Sequence, residues 1–448
     1  MTTGRQPIGQ AGEPVNAARE ASLDGGTGRW VGAALPRKED RRMLLGRGRF
    51  VADMTRAGML HAAFVRSPLP AAGIGVIDTS AATGLPGVEA AFTAADLGDP
   101  YLEAVLERPE FTPTRMPLLA GDQVRFAGEP VAMVIAEDPY AAQDAAEVVD
   151  VEWRPLAAIA NIGEACEPDA RQVHEGLAGN CLVDLKMFED HQLDEIFAAA
   201  PVVIDAVFSS ARLAALPLEG RACLAEWDDR DGQLILHVST QVPHQVRSGV
   251  AQALGIAEQS VRVLAPDVGG GFGLKCVVGR EEVAVAAAAL RLRRPVCWIE
   301  DRQENLTASF HGHEQRYEVR AAFGADGTIL GLAADICCDV GAYSAFPFTA
   351  AVEPLMACTE LPGLYKVPAY RARGRAVATN KAPTAPYRGV SRPQLVLVME
   401  RLMEKAAAAL PKDRLEIALE YQGPRSRRAR LRATGKRAQE LLTAATAT

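Results

Sequence analysis

The alternation of apolar and polar positions divides the chain into segments of two kinds. Apolar runs of strand length occupy residues 59–65, 131–135 and 261–265, the last reading as a buried strand, and 147–153 also has strand character. Asp138 and Pro139 precede an amphipathic run at 140–149. An aspartate that can accept from free N–H groups, followed by a proline whose fixed φ suits a first turn, predicts a helix start there. Val246, Val250 and Leu254 recur one helical turn apart before Gly255, predicting a helix over 244–254 with a glycine stop. Asp231-Gly232 separates strand-like 221–227 from 233–240, and Asp326-Gly327 separates 313–323 from 328–338, so both pairs read as hairpins. The alanine-rich stretch 281–292 and the long stretch 392–410, ended by Pro411, read as helices. Strands interleaved with helices give a mixed α/β chain of the α+β class.

One stretch breaks these rhythms: Asp267-Val268-Gly269-Gly270-Gly271-Phe272-Gly273-Leu274-Lys275. Glycine accepts positive φ and leaves nothing above the main chain, so this loop suits close approach of backbone to something else. It follows a strand and precedes a helix, which places its free N–H groups near a helix N-terminus, where an anionic cofactor would bind. The alternative is a tight connection with no ligand. Spacing excludes two owners of glycine loops. A dinucleotide fingerprint would need glycine where Leu274 or Cys276 stands, and a phosphate-binding loop needs Gly-Lys-Ser/Thr, whereas Lys275 lies between Leu274 and Cys276.

With 448 residues, 48% of them hydrophobic, the chain can bury a large core and is expected to form at least two domains. A net charge of −8 argues against a nucleic-acid surface. Residues 1–28 are polar and small, which predicts a disordered lead with no secretory signal. The longest apolar run, 283–290, is too short for a membrane span, so a cytoplasmic protein with no membrane partner is expected. The eight cysteines contain no Cys-x-x-Cys, hence no zinc or iron–sulfur spacing, and read mostly as buried thiols. His311 and His313 flank a glycine at a strand entry; without a third ligand they read as ordinary polar residues, and no metal ligand is assigned.

In chain order, Arg37-Lys38-Glu39-Asp40, Gly46-Arg47-Gly48-Arg49-Phe50, Phe64-Val65-Arg66-Ser67-Pro68 and Gly128-Glu129-Pro130-Val131 are followed by Thr240-Gln241, the glycine loop, Asp339-Val340-Gly341-Ala342-Tyr343 and Tyr387-Arg388-Gly389. This series resembles the molybdopterin-binding large subunit of the xanthine dehydrogenase and aldehyde oxidase family, in the branch of the carbon-monoxide-dehydrogenase-like enzymes. The resemblance implies an a/b hammerhead domain at 29–160, a linker at 161–180, the first molybdopterin-binding domain at 181–420 and a divergent basic tail at 421–448. It implies a molybdopterin cofactor in its cytosine dinucleotide form. Gly270, Gly271, Phe272 and Gly273 would lie against the metal centre, Gln241 would donate to an oxygen there, and Arg388 and Gly389 would hold the pterin end. An amide donates without adding charge, and a permanent guanidinium suits an anionic phosphorylated pterin. The plainer readings are a solvent-facing glutamine and an arginine paired with a carboxylate.

Departures from the family narrow the expected chemistry. Gly389 stands where carbon-monoxide dehydrogenases carry a copper-bridging cysteine, and Cys276 where purine oxidisers carry glutamate, so neither carbon monoxide nor xanthine is the expected substrate. Glu219, in Pro217-Leu218-Glu219-Gly220, reads as a residue that shapes the loop. Past residue 422 the resemblance stops, whereas family members continue into a second molybdopterin-binding domain whose Gly-Val-Gly-Glu glutamate is the general base; no catalytic residue is therefore assigned in this chain. The expectation is a large-subunit fragment of a molybdenum hydroxylase that, when intact, hydroxylates an aldehyde or N-heterocycle with water as oxygen source. It would work with a separate iron–sulfur subunit and a separate FAD subunit. The rivals are a non-catalytic remnant or assembly module, and half of a split enzyme completed by a separate C-terminal molybdopterin-binding chain.

Overall fold

The structure, a computed structural model, describes residues 35–410 and Lys412. The expected lead at 1–28, the basic tail at 421–448 and the Pro411 helix stop lie outside the described residues. The chain divides into two compact units, 1–48 and 49–448. In the first, a short helix spans Asp40–Leu44, and Arg37 donates from its backbone N–H and its Nε to the Asp40 carboxylate at 2.9 and 2.8 Å.

Two sheets organise the second unit. The strands of these two sheets are β1 (Leu60–Arg66), β2 (Val88–Thr93), β3 (Pro130–Ala136), β4 (Cys181–Met187), β5 (Val202–Ser210), β6 (Ala222–Asp228), β7 (Gln233–Val238), β8 (Val261–Leu264), β9 (Val296–Ile299), β10 (Gln315–Phe323), β11 (Ile329–Asp339) and β12 (Tyr370–Val377). The helices used below are α1 (Pro139–Glu147), α2 (Pro243–Leu254), α3 (Arg280–Leu292), α4 (Arg302–Thr307), α5 (Thr349–Glu360) and α6 (Arg392–Ala409). The larger sheet has the order β8-β7-β6-β9-β1-β3-β2, joining strands from both sides of residue 160 through the parallel pair β1–β9. The smaller has the order β5-β10-β11-β12-β4.

Local signals place most of these elements. Asp138 caps α1, its carboxylate accepting from Tyr140 and Ala141 N–H, and Gly255 ends α2 at φ 63°. Both hairpins form, β6–β7 around Gly232 and β10–β11 around Gly327. Strand β8 differs from its expected burial. It lies at the edge of the larger sheet, so only Val261 is fully buried and Arg262 faces solvent.

Helix α3 is buried along Arg280–Ala289 because its valines and alanines are small enough to pack against β6 and β9. Its first turn carries Arg280, Glu281 and Glu282 into the same core, where charge must be paired. Arg221 donates to Glu281 (2.8 Å), Glu282 (3.4 Å) and Glu300 (2.9 Å); Arg66 donates to Glu281 (3.0 Å) and Glu304 (2.7 Å); Arg280 donates to Glu129 (2.8 Å). The stretch 161–180, polar in sequence, packs Ala165, Val173 and Leu177 into the core beside the smaller sheet. Buried Asn180 fastens it, accepting from Val173 N–H and donating to the carbonyls of Ala165 and Arg171.

Candidate cofactor site

The glycine loop is held from behind by charge and from the side by backbone. Lys275, whose ammonium is buried, donates to Ser239 Oγ (2.7 Å) and to the Glu219 carbonyl (2.9 Å) and carboxylate (3.1 Å). The same Glu219 Oε2 accepts from Gly269 N–H and from Ser239 Oγ, each at 2.6 Å. Burial pulls the Lys275 ammonium below its ordinary value, and the Glu219 carboxylate opposes that pull. Glu219 therefore shapes the loop, and it does so through a buried pair that sequence spacing alone does not show.

Gln241 lies against the loop's open side. Its Oε1 accepts from Gly273 N–H at 3.0 Å, its own N–H donates to the Lys275 carbonyl at 2.9 Å, and a Cβ on Gly271 would meet its Cδ at 2.5 Å. With Oε1 taken, the Gln241 amide nitrogen remains an uncommitted donor among the described residues. Gly273, at φ 95°, packs so closely on the next segment that a Cβ would come 1.6 Å from the Pro386 carbonyl oxygen. Arg388 follows two residues later; it is exposed and has no hydrogen bond or ion pair among the described residues. The structure thus brings Gln241, Gly271, Gly273 and the Pro386–Gly389 turn into one neighbourhood.

Three further facts give this neighbourhood binding character. The N–H groups of Gly270, Gly271 and Phe272 have no acceptor among the described residues. Phe272 takes φ 52°, unusual for an aromatic residue, and is 42% exposed. The segment carrying Arg388 is itself rigidly held, because buried Asp339 accepts from Arg212, Lys381, Thr379 Oγ1 and Gly341 N–H, while Gly341 packs on Ala382 at φ 71°. Asp339 and Gly341 of the 339–343 motif provide this support.

The first turn of α3 carries its own buried Glu281 and Glu282, so the free N–H groups at this strand-to-helix connection are those of the loop. Clefts of about 550 and 920 Å³ lie elsewhere, and the loop lines neither. His311 and His313 do not face a shared ligand: His311 Nε2 is 3.1 Å from the Leu306 carbonyl and His313 Nε2 is 3.3 Å from that of Tyr387.

Burial, followed by the Arg212 charge, pushes the His311 imidazole down to about 4, below the usual histidine value. A folded value below the unfolded one means that the stabilisation is present above the unfolded value and is lost as pH falls through the folded one. Between pH 6.5 and 4 the protein should lose about 2 kcal/mol through this group, allowing for its partial exposure, and His311→Gln should not. Denaturant titrations of both proteins across that window measure it; parallel curves would refute the assignment.

The comparisons with known proteins can now be placed on this geometry. Residues 173–420 match the molybdopterin cofactor-binding domain, and residues 45–157 match the aldehyde oxidase and xanthine dehydrogenase a/b hammerhead domain. The chain belongs to the xanthine dehydrogenase and aldehyde oxidase family. Among its relatives in that family is the nicotine 6-hydroxylase large subunit of Paenarthrobacter nicotinovorans, 39% identical over 86% of this chain and 48% of the relative. The carbon monoxide dehydrogenase large chain of Hydrogenophaga pseudoflava is 35% identical over 85% of this chain and 49% of the relative. The solved structure of quinoline 2-oxidoreductase from Pseudomonas putida 86 superposes with a TM-score of 0.84 at 39% identity, covering 88% of this chain and 50% of that one. This chain therefore spans about half the length of these relatives. The nicotinate dehydrogenase large molybdopterin subunit of Eubacterium barkeri is matched at 28% identity over 84% of this chain and 85% of its own length.

Proposed function

We propose that this chain supplies one wall of the cofactor site of a molybdenum hydroxylase acting on an N-heterocycle or an aldehyde. One observation carries the reading: three consecutive unspent N–H groups stand beside an uncommitted amide donor on a loop packed against the segment that bears an unpaired arginine. Such a set fits a ligand rich in acceptor oxygens and negative charge. Gly270, Gly271 and Phe272 would hold it through backbone N–H, Gln241 through its amide nitrogen, and Arg388 and Gly389 at its anionic pterin end. When bound, the molybdenum cofactor supplies two-electron oxidation with water as the oxygen source: R–H and water give R–OH, two protons and two electrons.

Those electrons need an acceptor outside this chain. Separate iron–sulfur and FAD subunits are supported by relatives whose names make them a large subunit, a large chain and a subunit of a complex. N-heterocycles are favoured because nicotine and quinoline appear in the names of two relatives, each 39% identical. A second polypeptide bearing the general base is favoured over a non-catalytic remnant because a molybdopterin subunit from Eubacterium barkeri is matched over 85% of its length.

The test is co-expression of the chain with and without a polypeptide carrying the family's second molybdopterin-binding domain. Molybdenum per protein and dye-linked oxidation of quinoline and of an aldehyde are scored, and acid release of a cytosine nucleotide reports the cofactor form. Gln241→Ala should lower molybdenum occupancy roughly ten-fold, the loss of one hydrogen bond to a charged partner. Absence of molybdenum under both conditions, with a correctly folded chain, would rule the reading out.

A further inference from the structure

On the outward face of the smaller sheet, far along the chain from the glycine loop, two thiols meet. Cys166 lies just past the short helix Ile162–Ala165 and is partly exposed, while Cys337 is buried in β11; their sulfurs are 4.0 Å apart. In the strand register, Cys337 lies between Arg316 of β10 and Arg375 of β12, so the sulfur pair is flanked by arginine on both sides. Arg375 Nη1 donates to Cys166 Sγ at 3.9 Å and Nη2 to Asp335 at 2.7 Å, while its Nε is buried with no acceptor among the described residues.

We propose that Cys166 and Cys337 form a redox-active thiol pair, with Cys166 the peroxide-reactive thiolate and Cys337 the resolving thiol. Exposure and positive charge at Cys166, with a second thiol in van der Waals contact, are what such chemistry requires. The hydrogen bond with Cys337 and the Arg375 charge hold the Cys166 thiol below its ordinary value, whereas burial pushes Cys181, Cys276 and Cys297 up. The Cys166 thiolate attacks one peroxide oxygen, the O–O bond breaks, and the departing oxygen leaves as water, giving a sulfenic acid. Cys337 then attacks the Cys166 sulfur; the S–S bond forms and the hydroxyl leaves with the Cys337 proton as a second water. The two thiols lose two electrons and two protons, and the peroxide gains them. A bond of about 2.05 Å requires the sulfurs to close by roughly 2 Å, within reach of rotations at the exposed Cys166 end. The product would tie the 161–180 stretch to β11 across a sequence separation of 171 residues.

The full chain, reduced and then exposed to a small excess of hydrogen peroxide, tests this by alkylation and peptide mapping. The expected product has lost two hydrogens, joins the Cys166 and Cys337 peptides, and reverts with dithiothreitol. Cys338→Ser, which alters the thiol on the opposite strand face, should leave it unchanged. Cys337→Ser should stop at a dimedone-reactive sulfenic acid on Cys166. Competitive alkylation of the wild-type chain at neutral pH should label Cys166 at least ten-fold faster than Cys276, a comparison that holds even if a variant fails to fold. Equal labelling rates, or a disulfide that joins Cys166 to Cys181 or to a second chain, would overturn the proposal.

Discussion

Gly273→Ala should destabilise the chain by about 3 kcal/mol or more, well beyond the ordinary penalty for a side chain at positive φ. At φ 95° the added Cβ would lie 1.6 Å from the Pro386 carbonyl oxygen and 2.6 Å from its carbon, distances at which backbone on one side must move. Neither side is free to do so. Gly273 N–H is held by Gln241, and the 382–385 stretch is pinned by Gly341 packing on Ala382 and by backbone bonds between His311 and both Pro383 and Ala385. Gly232→Ala is the control: φ is 62° there, and nothing lies within 4 Å of the added atom, so about 1 kcal/mol is expected. Chemical denaturation of the two variants separates backbone strain from the close approach. Similar losses would mean that the two loops are not locked together. A large loss at Gly273 alone would also predict protease cleavage between residues 265 and 280 in molecules that remain folded, since the loop is the part displaced.

Legibility in the sequence followed the range of each interaction. Asp138, Gly255, Gly232 and Gly327 act within a few residues of themselves, so the helix start, the helix stop and both hairpins could be read from local chemistry. The loop's close approach to other backbone was also legible from its glycines, and Gly273 does pack on Pro386, whereas Gln241 was suggested only by the family resemblance. What stayed hidden depends on partners far away. Glu219 and Lys275 are 56 residues apart, and Cys166 and Cys337 are 171 apart; no pattern at either position announces the other. The burial of Arg280-Glu281-Glu282 in the first turn of α3 is hidden for the same reason, because it depends on Arg221 and Glu129, which are distant in sequence. The edge position of β8 was equally beyond the short run at 261–265, which looks the same on either side of a sheet's boundary.

Arg221→Met is expected to cost about 3–5 kcal/mol, the range for stripping the counter-charge from a buried ion pair. Three guanidiniums, Arg66, Arg221 and Arg280, face five carboxylates in this core, and Arg221 serves three of them, Glu281, Glu282 and Glu300. The imbalance already shows in Glu282: burial pushes its carboxyl up to about 7, and the negative Glu281 adds to that push, against the opposing charge of Arg221. A folded value above the unfolded one contributes stability that is complete below the unfolded value and disappears as pH rises through the folded one. The Arg221→Met variant should therefore be weakest at pH 8 and recover toward pH 5, where Glu282 carries a proton without help. Adding Glu282→Gln to Arg221→Met should restore part of the loss at pH 8 and little at pH 5, because the amide imitates the protonated acid. The loss should also reach the glycine loop. Arg221 follows Glu219 by two residues, and its backbone N–H donates to Glu300 at 2.8 Å, so the same strand entry that balances the core charges aims Glu219 at Gly269 and Lys275. Urea titrations of the single and double variants at the two pH values decide the matter, and a loss independent of pH would show that packing of Arg221 on Trp298 and Phe310, not charge, is what the substitution removes.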